Sequence, residues 1–271
     1  MRLLIADLVT ELEPRYENTK RLAEPFRYEG DRPTDIRLTV TDAYLESLMR
    51  RAAPNTTEEL MENFAFSCDF NRKAIPFQTM LVHSSALVYD GGAYLFSADS
   101  GVGKSTHTRL WLQAFGDRVH ILNDDKPVVR LSGSTALCCG TPFDGGSGIA
   151  KNETVPLQAI VFVERGEKNA VRVPSSTEVL QKIYFQTAHM VSAATASRML
   201  ENFERLLAMS KFYVLTCNTD ISAAYTAFDG IINDTGKSHP LSRTILIVDS
   251  STKKKCDIMK DALPTGRIGQ R

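Results

Sequence analysis

Short apolar runs separated by polar turns dominate the middle of the chain and predict a sheet. The runs occupy residues 35–40, 80–89, 93–96, 119–122, 126–131, 135–139, 157–163 and 212–216. Their length and composition are typical of strands. The turns Asp90-Gly91-Gly92 and Ser132-Gly133-Ser134 separate neighbouring runs and predict two antiparallel hairpins.

Stretches with apolar residues at helical spacing lie between and after these runs. They cover residues 42–51, a segment that begins near Asn55, and residues 106–115, 175–186, 194–209 and 220–231. Thr56 or Thr57 is a candidate cap of the second, and Ser175-Ser176-Thr177-Glu178 has the spacing of a capping box. Hairpins, strands and helices in this mixture predict an α/β fold with a mixed-sheet core.

The same pattern divides the chain into three parts. Residues 1–75 carry no strong motif and predict an N-terminal extension or small subdomain. Residues 76–232 hold most of the predicted elements and form the expected core. Residues 233–271 are polar and basic apart from residues 244–248, which predicts a solvated C-terminal tail.

Composition and charge narrow the class of protein. With 271 residues, 43% of them hydrophobic, the chain can bury a sizeable core. A formal net charge of +0 gives no electrostatic case for a nucleic acid or a membrane as partner. The apolar N-terminal run is too short for a signal peptide or a membrane span. The five cysteines are odd in number and lack Cys-x-x-Cys spacing, which favours a reduced, cytoplasmic compartment over a disulfide framework or zinc site.

Residues 98–106 read Ala-Asp-Ser-Gly-Val-Gly-Lys-Ser-Thr and have the spacing of a phosphate-binding P-loop, with Ala98 in place of the usual first glycine. Glycines let the backbone wrap closely around a phosphate chain at the start of a helix. A predicted strand precedes the segment and a predicted helix follows it, as the motif requires. We therefore expect a bound nucleoside triphosphate with Mg²⁺, and Lys104 at the outer phosphates. The predicted binding residues are Ser100, Gly101, Val102, Gly103, Lys104, Ser105 and Thr106, with Ser105 also a ligand of the metal.

Asp124 and Asp125 follow a hydrophobic strand about twenty residues after Lys104. In P-loop proteins an acidic residue at the end of a neighbouring strand binds Mg²⁺, directly or through water. Two adjacent carboxylates allow one to hold the metal while the other accepts a proton from an attacking hydroxyl. A polar turn before Pro127 is the alternative interpretation, because Asn-Asp-Asp is common in turns.

A histidine on a strand before the P-loop, the sequence Ser-Gly-Val-Gly-Lys-Ser and the following Asp-Asp pair together resemble HPr kinase/phosphorylase, a family that shares a P-loop group with phosphoenolpyruvate carboxykinase. The resemblance covers about residues 78–165. It implies a core of the type found in the C-terminal domain of that family, use of ATP and Mg²⁺, and an oligomer. It also implies that Asp124 is the general base, that Asp125 supports the metal and that His83 lies near the transferred phosphate.

A Gly-rich stretch, Gly145-Gly146-Ser147-Gly148, weakly resembles a segment of that family, but Phe143 stands where the family has an acidic residue. The stretch continues to Lys151 and Asn152, which are candidates for a lid that closes over the γ-phosphate. Arg165 is a further candidate, although its charged surroundings favour an ordinary surface residue.

Three functions remain open at this point. The first is an ATP-dependent kinase acting on a hydroxyl of a small molecule or peptide, with Asp124 and Lys104 as catalytic residues. The second is a nucleotide-binding regulator or ATPase without a phosphoryl acceptor. The third is a carboxykinase-like reaction on an oxo-acid, for which the sequence offers no distinct motif.

Overall fold

The fold, seen in a computed structural model that describes residues 1–187, 193–232 and 234, is α/β and has two sheets. The strands are β1 (Arg2–Ile5), β2 (Leu8–Glu11), β3 (Ile36–Arg37), β4 (Thr79–Leu81), β5 (Ser84–Tyr89), β6 (Gly92–Ser97), β7 (Val119–Asp125), β8 (Val128–Ser132), β9 (Thr135–Cys139), β10 (Thr154–Arg165), β11 (Ala170–Arg172) and β12 (Lys211–Cys217). The α-helices are α1 (Glu17–Ala23), α2 (Asp42–Met49), α3 (Glu58–Ala74), α4 (Lys104–Phe115), α5 (Ser176–Thr187), α6 (Ala193–Met209) and α7 (Ser222–Ile231).

The larger sheet has nine strands and is mixed, as the hairpins predicted. Its long strand β10 pairs in parallel with β6 and β12, while its first residues pair antiparallel with β9. Beyond β6 follow β5 and then β7, both in antiparallel pairings. Strand β7 therefore runs parallel to β6, and the carboxyl ends of β6, β7, β10 and β12 lie at one edge of the sheet.

Helices cover both faces of this sheet. Helices α4 and α7 pack on one face through a cluster that includes Trp111, Phe96 and Ala224. Helices α5 and α6 pack on the other through a cluster that includes Ile183 and Phe203. Because β6 leads to α4 and β10 leads to α5, the chain changes face between these two adjacent strands. In open α/β sheets a crevice at the carboxyl ends of such strands is where ligands bind.

The N-terminal part forms a second, three-stranded sheet in the order β1-β2-β3. Its apolar side chains share a buried cluster with α3 and with Val128 and Cys139 of the larger sheet. The division of the chain at residue 75 stays a prediction. The predicted tail lies outside the described residues, except for Asp234.

Most predicted elements are present, and two need correction. The strand predicted over residues 80–89 is wrong as a single strand, because the chain leaves one ladder after Leu81 and enters another at Ser84. Between them, the Val82 N–H donates to Pro127 and the His83 N–H donates to Gln186. The strand predicted over residues 35–40 is reduced to Ile36–Arg37. His83 therefore lies in a break between strands and not within one.

Two further features bear on the sequence-based expectations. The cysteines at positions 68, 138, 139 and 217 are free, and all of these except Cys68 are buried. Among the described residues, no helix has the length and apolar character needed to cross a membrane.

Candidate active site

The residues singled out in the sequence meet at one edge of the larger sheet. Residues 98–106, the predicted P-loop, follow β6, and Asp124 and Asp125 end β7. Strand β5 lies between β6 and β7 and runs the opposite way, so the residue before it, His83, lies at the same edge. Ser84 pairs with both Ser97 and Asp125, which fixes the register of all three strands. The topology thus brings together segments that are about twenty residues apart on either side of the P-loop.

Two glycines of the predicted P-loop have positive φ. Gly101 and Gly103 have φ of 78° and 126°, and at neither position does a Cβ meet another atom within 4 Å. Glycine is therefore favoured there by backbone conformation rather than by lack of space. Lys104 begins α4, and its Nζ donates to the carbonyl of Ala98 at 2.9 Å, across the loop that it follows. Burial lowers the pKa of Lys104.

Ser105 and Asp124 are joined by a hydrogen bond. The Ser105 hydroxyl, in the first turn of α4, donates to Asp124 Oδ1 at 3.0 Å. A hydroxyl and a carboxylate oxygen this close are hard ligands of the type that Mg²⁺ selects. A second contact holds the helix in place, because the buried hydroxyls of Ser85 on β5 and Thr108 on α4 are 3.1 Å apart.

Asp125 has different partners from its neighbour. Its Oδ1 lies 3.2 Å from His83 Nε2, and its Oδ2 accepts from Lys126 Nζ at 2.6 Å. Burial acts to raise the pKa of Asp125, but the His83 hydrogen bond and the Lys126 charge outweigh it and lower the pKa to about 2. Asp125 is thus a firmly ionised carboxylate with both oxygens engaged, and a metal ion would have to replace one of these partners.

Gln186, near the end of α5, completes the arrangement. Its Nε2 donates to Asp99 Oδ1 of the P-loop at 3.1 Å, which leaves its Oε1 facing His83 Nδ1 at 3.0 Å. The two neighbours of the His83 ring, this amide oxygen and the Asp125 carboxylate, only accept hydrogen bonds. Both ring nitrogens of His83 therefore face hydrogen-bond acceptors. The side chains link the predicted P-loop to Asp125 through His83.

The Gly-rich stretch lies against the acidic pair. Asp125 forms an isolated bridge with Asp144, and a Cβ added to Gly145 would lie 2.8 Å from Asp125 Oδ2. The Asp144 carboxylate accepts from the N–H groups of Ser147 and Gly148 at 3.2 and 2.7 Å. An acidic residue is thus present one position after Phe143, and it holds the loop.

The candidate lid residues lie further from the acidic pair. The chain after Gly148 runs antiparallel to β7, and the Lys151 N–H donates to Leu122, two residues before Asp124. Asn152 Nδ2 donates to the carbonyl of Pro25 in the N-terminal part at 2.9 Å. Of this segment, the residues 145–148 are therefore better placed than Lys151 to close over a ligand at Asp124.

Two cavities open at the same edge on either side of Arg165. One, of about 530 Å³, lies between the P-loop, α4 and the ends of β10 and β12. The other, of about 680 Å³, lies between β6, β10 and α5. Arg165, at the end of β10, donates to the carbonyls of Val102 at 3.0 Å and of Gly101. Arg165 is exposed, as expected of a surface residue, and it also contacts the loop directly.

Among the described residues no group of three or more His, Cys, Asp or Glu side chains could hold a metal ion by itself. Mg²⁺ in phosphoryl-transfer sites is held by one or two protein groups together with substrate phosphates. The pair formed by Ser105 and Asp124 fits that requirement.

Gln186, Asp99 and Lys126 contact residues of the candidate site but were not predicted as site residues, whereas Arg165 was considered as a candidate. Lys126 directly follows the acidic pair, and its position was a usable signal. Gln186 lacks any such signal, because only the packing of α5 on the sheet brings it to His83.

Comparisons with known proteins add little. No protein-family model and no curated protein matches the chain. Among solved structures it is similar to the HPr(Ser) kinase/phosphatase from Coxiella burnetii, with 15% sequence identity over 35% of this chain and 77% of that chain and a TM-score of 0.27. A similarity at this level carries no argument about function, which has to be inferred from the geometry of the site.

Proposed function

We propose that this protein is an ATP-dependent kinase that transfers the γ-phosphate to a hydroxyl group of a small molecule or peptide. The observation that carries the proposal is the 3.0 Å hydrogen bond between Ser105, directly after the P-loop lysine, and Asp124. Phosphoryl transfer needs a phosphate cradle, a metal site and a carboxylate at one point. This hydrogen bond supports the presence of the phosphate cradle, the metal site and the carboxylate at one point of this protein.

In the proposed reaction the P-loop N–H groups and Lys104 bind the β- and γ-phosphates, with Ser105 and Asp124 next to them. Mg²⁺, when bound, neutralises part of the phosphate charge. Asp124 accepts the proton of the acceptor hydroxyl as its oxygen attacks phosphorus. The bond from phosphorus to the bridging oxygen breaks, and the electron pair leaves with ADP.

Asp124 suits the role of base better than Asp125 does. Both oxygens of Asp125 are held by His83 and Lys126, and its pKa of about 2 makes it a weak proton acceptor. Asp124 has a neutral hydroxyl as its partner at Oδ1. We propose that Asp125 acts chiefly by holding the His83 ring beside the transferred phosphate. Its predicted role at the metal requires exchange of a partner.

The test compares Asp124→Asn with Asp117→Asn, a matched change at an exposed aspartate beyond α4. We expect the first to lower kcat by about 10²- to 10⁴-fold, because a general base contributes about that much, while the affinity for ATP measured without Mg²⁺ changes little. The second should behave like the wild type. The assay follows label from γ-labelled ATP into hydroxyl compounds of a metabolite pool. Full turnover by Asp124→Asn contradicts its role as the base, and label found solely in inorganic phosphate favours the ATPase alternative.

A further inference from the structure

The order of the strands indicates in which direction a bound triphosphate would extend across the site. Across the edge of the sheet the strands follow the order β7, β5, β6, β10, β12. The groups proposed to act on the γ-phosphate, Asp124 and His83, lie on the β7 and β5 side of the P-loop. A triphosphate with its γ end there extends past the loop toward β10 and β12, so its nucleoside is expected on that side.

The 530 Å³ cavity lies at that place. Its wall on one side consists of the P-loop and the first turn of α4, with Thr106 and His107. The opposite wall consists of the chain just after β10 and β12, including Gly166 and residues 217–219. Its volume lies within the range of about 300–1,000 Å³ that small-molecule sites occupy.

The floor of this cavity is buried and uncharged. His107 is 2% exposed, and its Nε2 accepts from Trp111 Nε1 at 3.0 Å, so the proton of the neutral ring is on Nδ1. Cys217 lies 4.0 Å from Nδ1, and burial raises the pKa of its thiol. Neutral, polarisable groups of this kind suit the face of an aromatic base.

The rim is held in position by its own hydrogen bonds. Asn218 Nδ2 donates to the carbonyl of Glu167 at 3.1 Å, and the Asn218 N–H donates to Asn169 Oδ1 at 2.9 Å. These contacts tie the segment after β12 to the segment after β10. The cavity is therefore formed before any ligand arrives, which lowers the entropy lost on binding.

We propose that this cavity binds the nucleoside of the triphosphate, with the base against His107 and Cys217 and the ribose near the P-loop. The inference rests on the proposed function, since it needs phosphates in the loop. The second cavity is less suited because no residue of α4 lines it.

The test fills each cavity with an indole and compares two ligands in the presence of Mg²⁺. Thr219→Trp fills the proposed cavity from its exposed rim, and Thr219→Phe does so with a smaller ring. Lys182→Trp fills the other cavity, and Lys168→Trp places an indole at an exposed position outside both. Calorimetry measures the affinity for ATP and for inorganic tripolyphosphate, which lacks the nucleoside, and circular dichroism checks folding.

We expect Thr219→Trp and Thr219→Phe to weaken ATP binding about tenfold or more and to leave tripolyphosphate binding unchanged. Lys168→Trp and Lys182→Trp should leave the preference for ATP as in the wild type. The inference is overturned if folded Thr219 variants keep the ATP affinity or lose both ligands equally, or if a Lys variant shows the selective loss instead. If the wild type binds ATP and tripolyphosphate equally, this inference alone is overturned. If the wild type binds neither ligand, the proposed function is overturned as well.

Discussion

The ion pair of Asp125 with His83 and Lys126 makes a quantitative prediction about stability. The pKa of Asp125 falls from an ordinary value of 3.8 to about 2 in the folded protein. One pKa unit corresponds to about 1.4 kcal/mol, so the ionised carboxylate contributes about 2 kcal/mol to the free energy of unfolding at neutral pH. The side chain is 18% exposed, so screening by solvent is limited.

The lowered pKa of Asp125 determines how the stability of the protein changes with pH. A carboxylate with a lowered folded-state pKa stabilises the protein fully above its unfolded pKa, and this contribution is lost as the pH falls toward the folded pKa. About half of the 2 kcal/mol should be gone by about pH 3. In Asp125→Asn this pH-dependent part should be absent, and the variant should be less stable than the wild type near pH 7.

Urea unfolding of the wild type and of Asp125→Asn, without Mg²⁺ or nucleotide, measures both quantities between pH 7 and pH 3. Asp31→Asn, at an exposed position in the N-terminal part, provides the matched control and should follow the wild type. Equal stability of Asp125→Asn and wild type at pH 7, together with equal slopes below pH 5, would refute the electrostatic argument.

Three further predictions concern other contacts. Gly140→Ala should lower the free energy of unfolding by about 2 kcal/mol or more, because a Cβ at position 140 would lie 1.8 Å from the Lys151 carbonyl oxygen. Urea titration measures the effect, with Ser134→Ala as the control. Unchanged stability of Gly140→Ala would contradict this steric account. Gln186→Leu should lower kcat at least about tenfold with little change in the KM for ATP, since it removes the contact that orients His83. The control is Gln181→Leu, on the exposed side of α5. Wild-type turnover in Gln186→Leu would argue against a role of the Gln186–His83 contact in catalysis. Trp111→Phe should lower the free energy of unfolding by about 1–3 kcal/mol in the same assay, because it leaves His107 Nε2 without its hydrogen-bond donor. An unchanged free energy of unfolding would show that this hydrogen bond contributes little.

Local chemistry explains which elements could be predicted from the sequence. Asp90-Gly91 forms the two-residue turn expected between β5 and β6, with φ of 50° and 74°. The N-terminal hairpin uses Ala6-Asp7 with φ of 50° and 63°, and was missed because alanine rarely adopts this conformation. The prediction failed where the residue type disagrees with the backbone that the fold imposes.

The site shows the same limit. The predicted P-loop and the acidic pair became candidates because of their spacing within a short stretch of chain. The partner of each carboxylate could not be predicted. The register of β5 with β7 determines that Ser105 contacts Asp124 rather than Asp125. Gln186 reaches His83 from a helix about a hundred residues later, and no local pattern encodes that contact.

The pairing of β6 with β10 also has a consequence for how the chain folds. Its register joins Ala93 to Leu157, so the strand that carries the P-loop stays at an open edge until everything between these residues has been placed. Closing so large a loop costs entropy before any contact repays it, and topologies of high contact order fold slowly. The edge that carries the candidate active site should therefore form late in folding, and a fragment that ends before β10 should expose an unpaired, apolar strand that promotes aggregation.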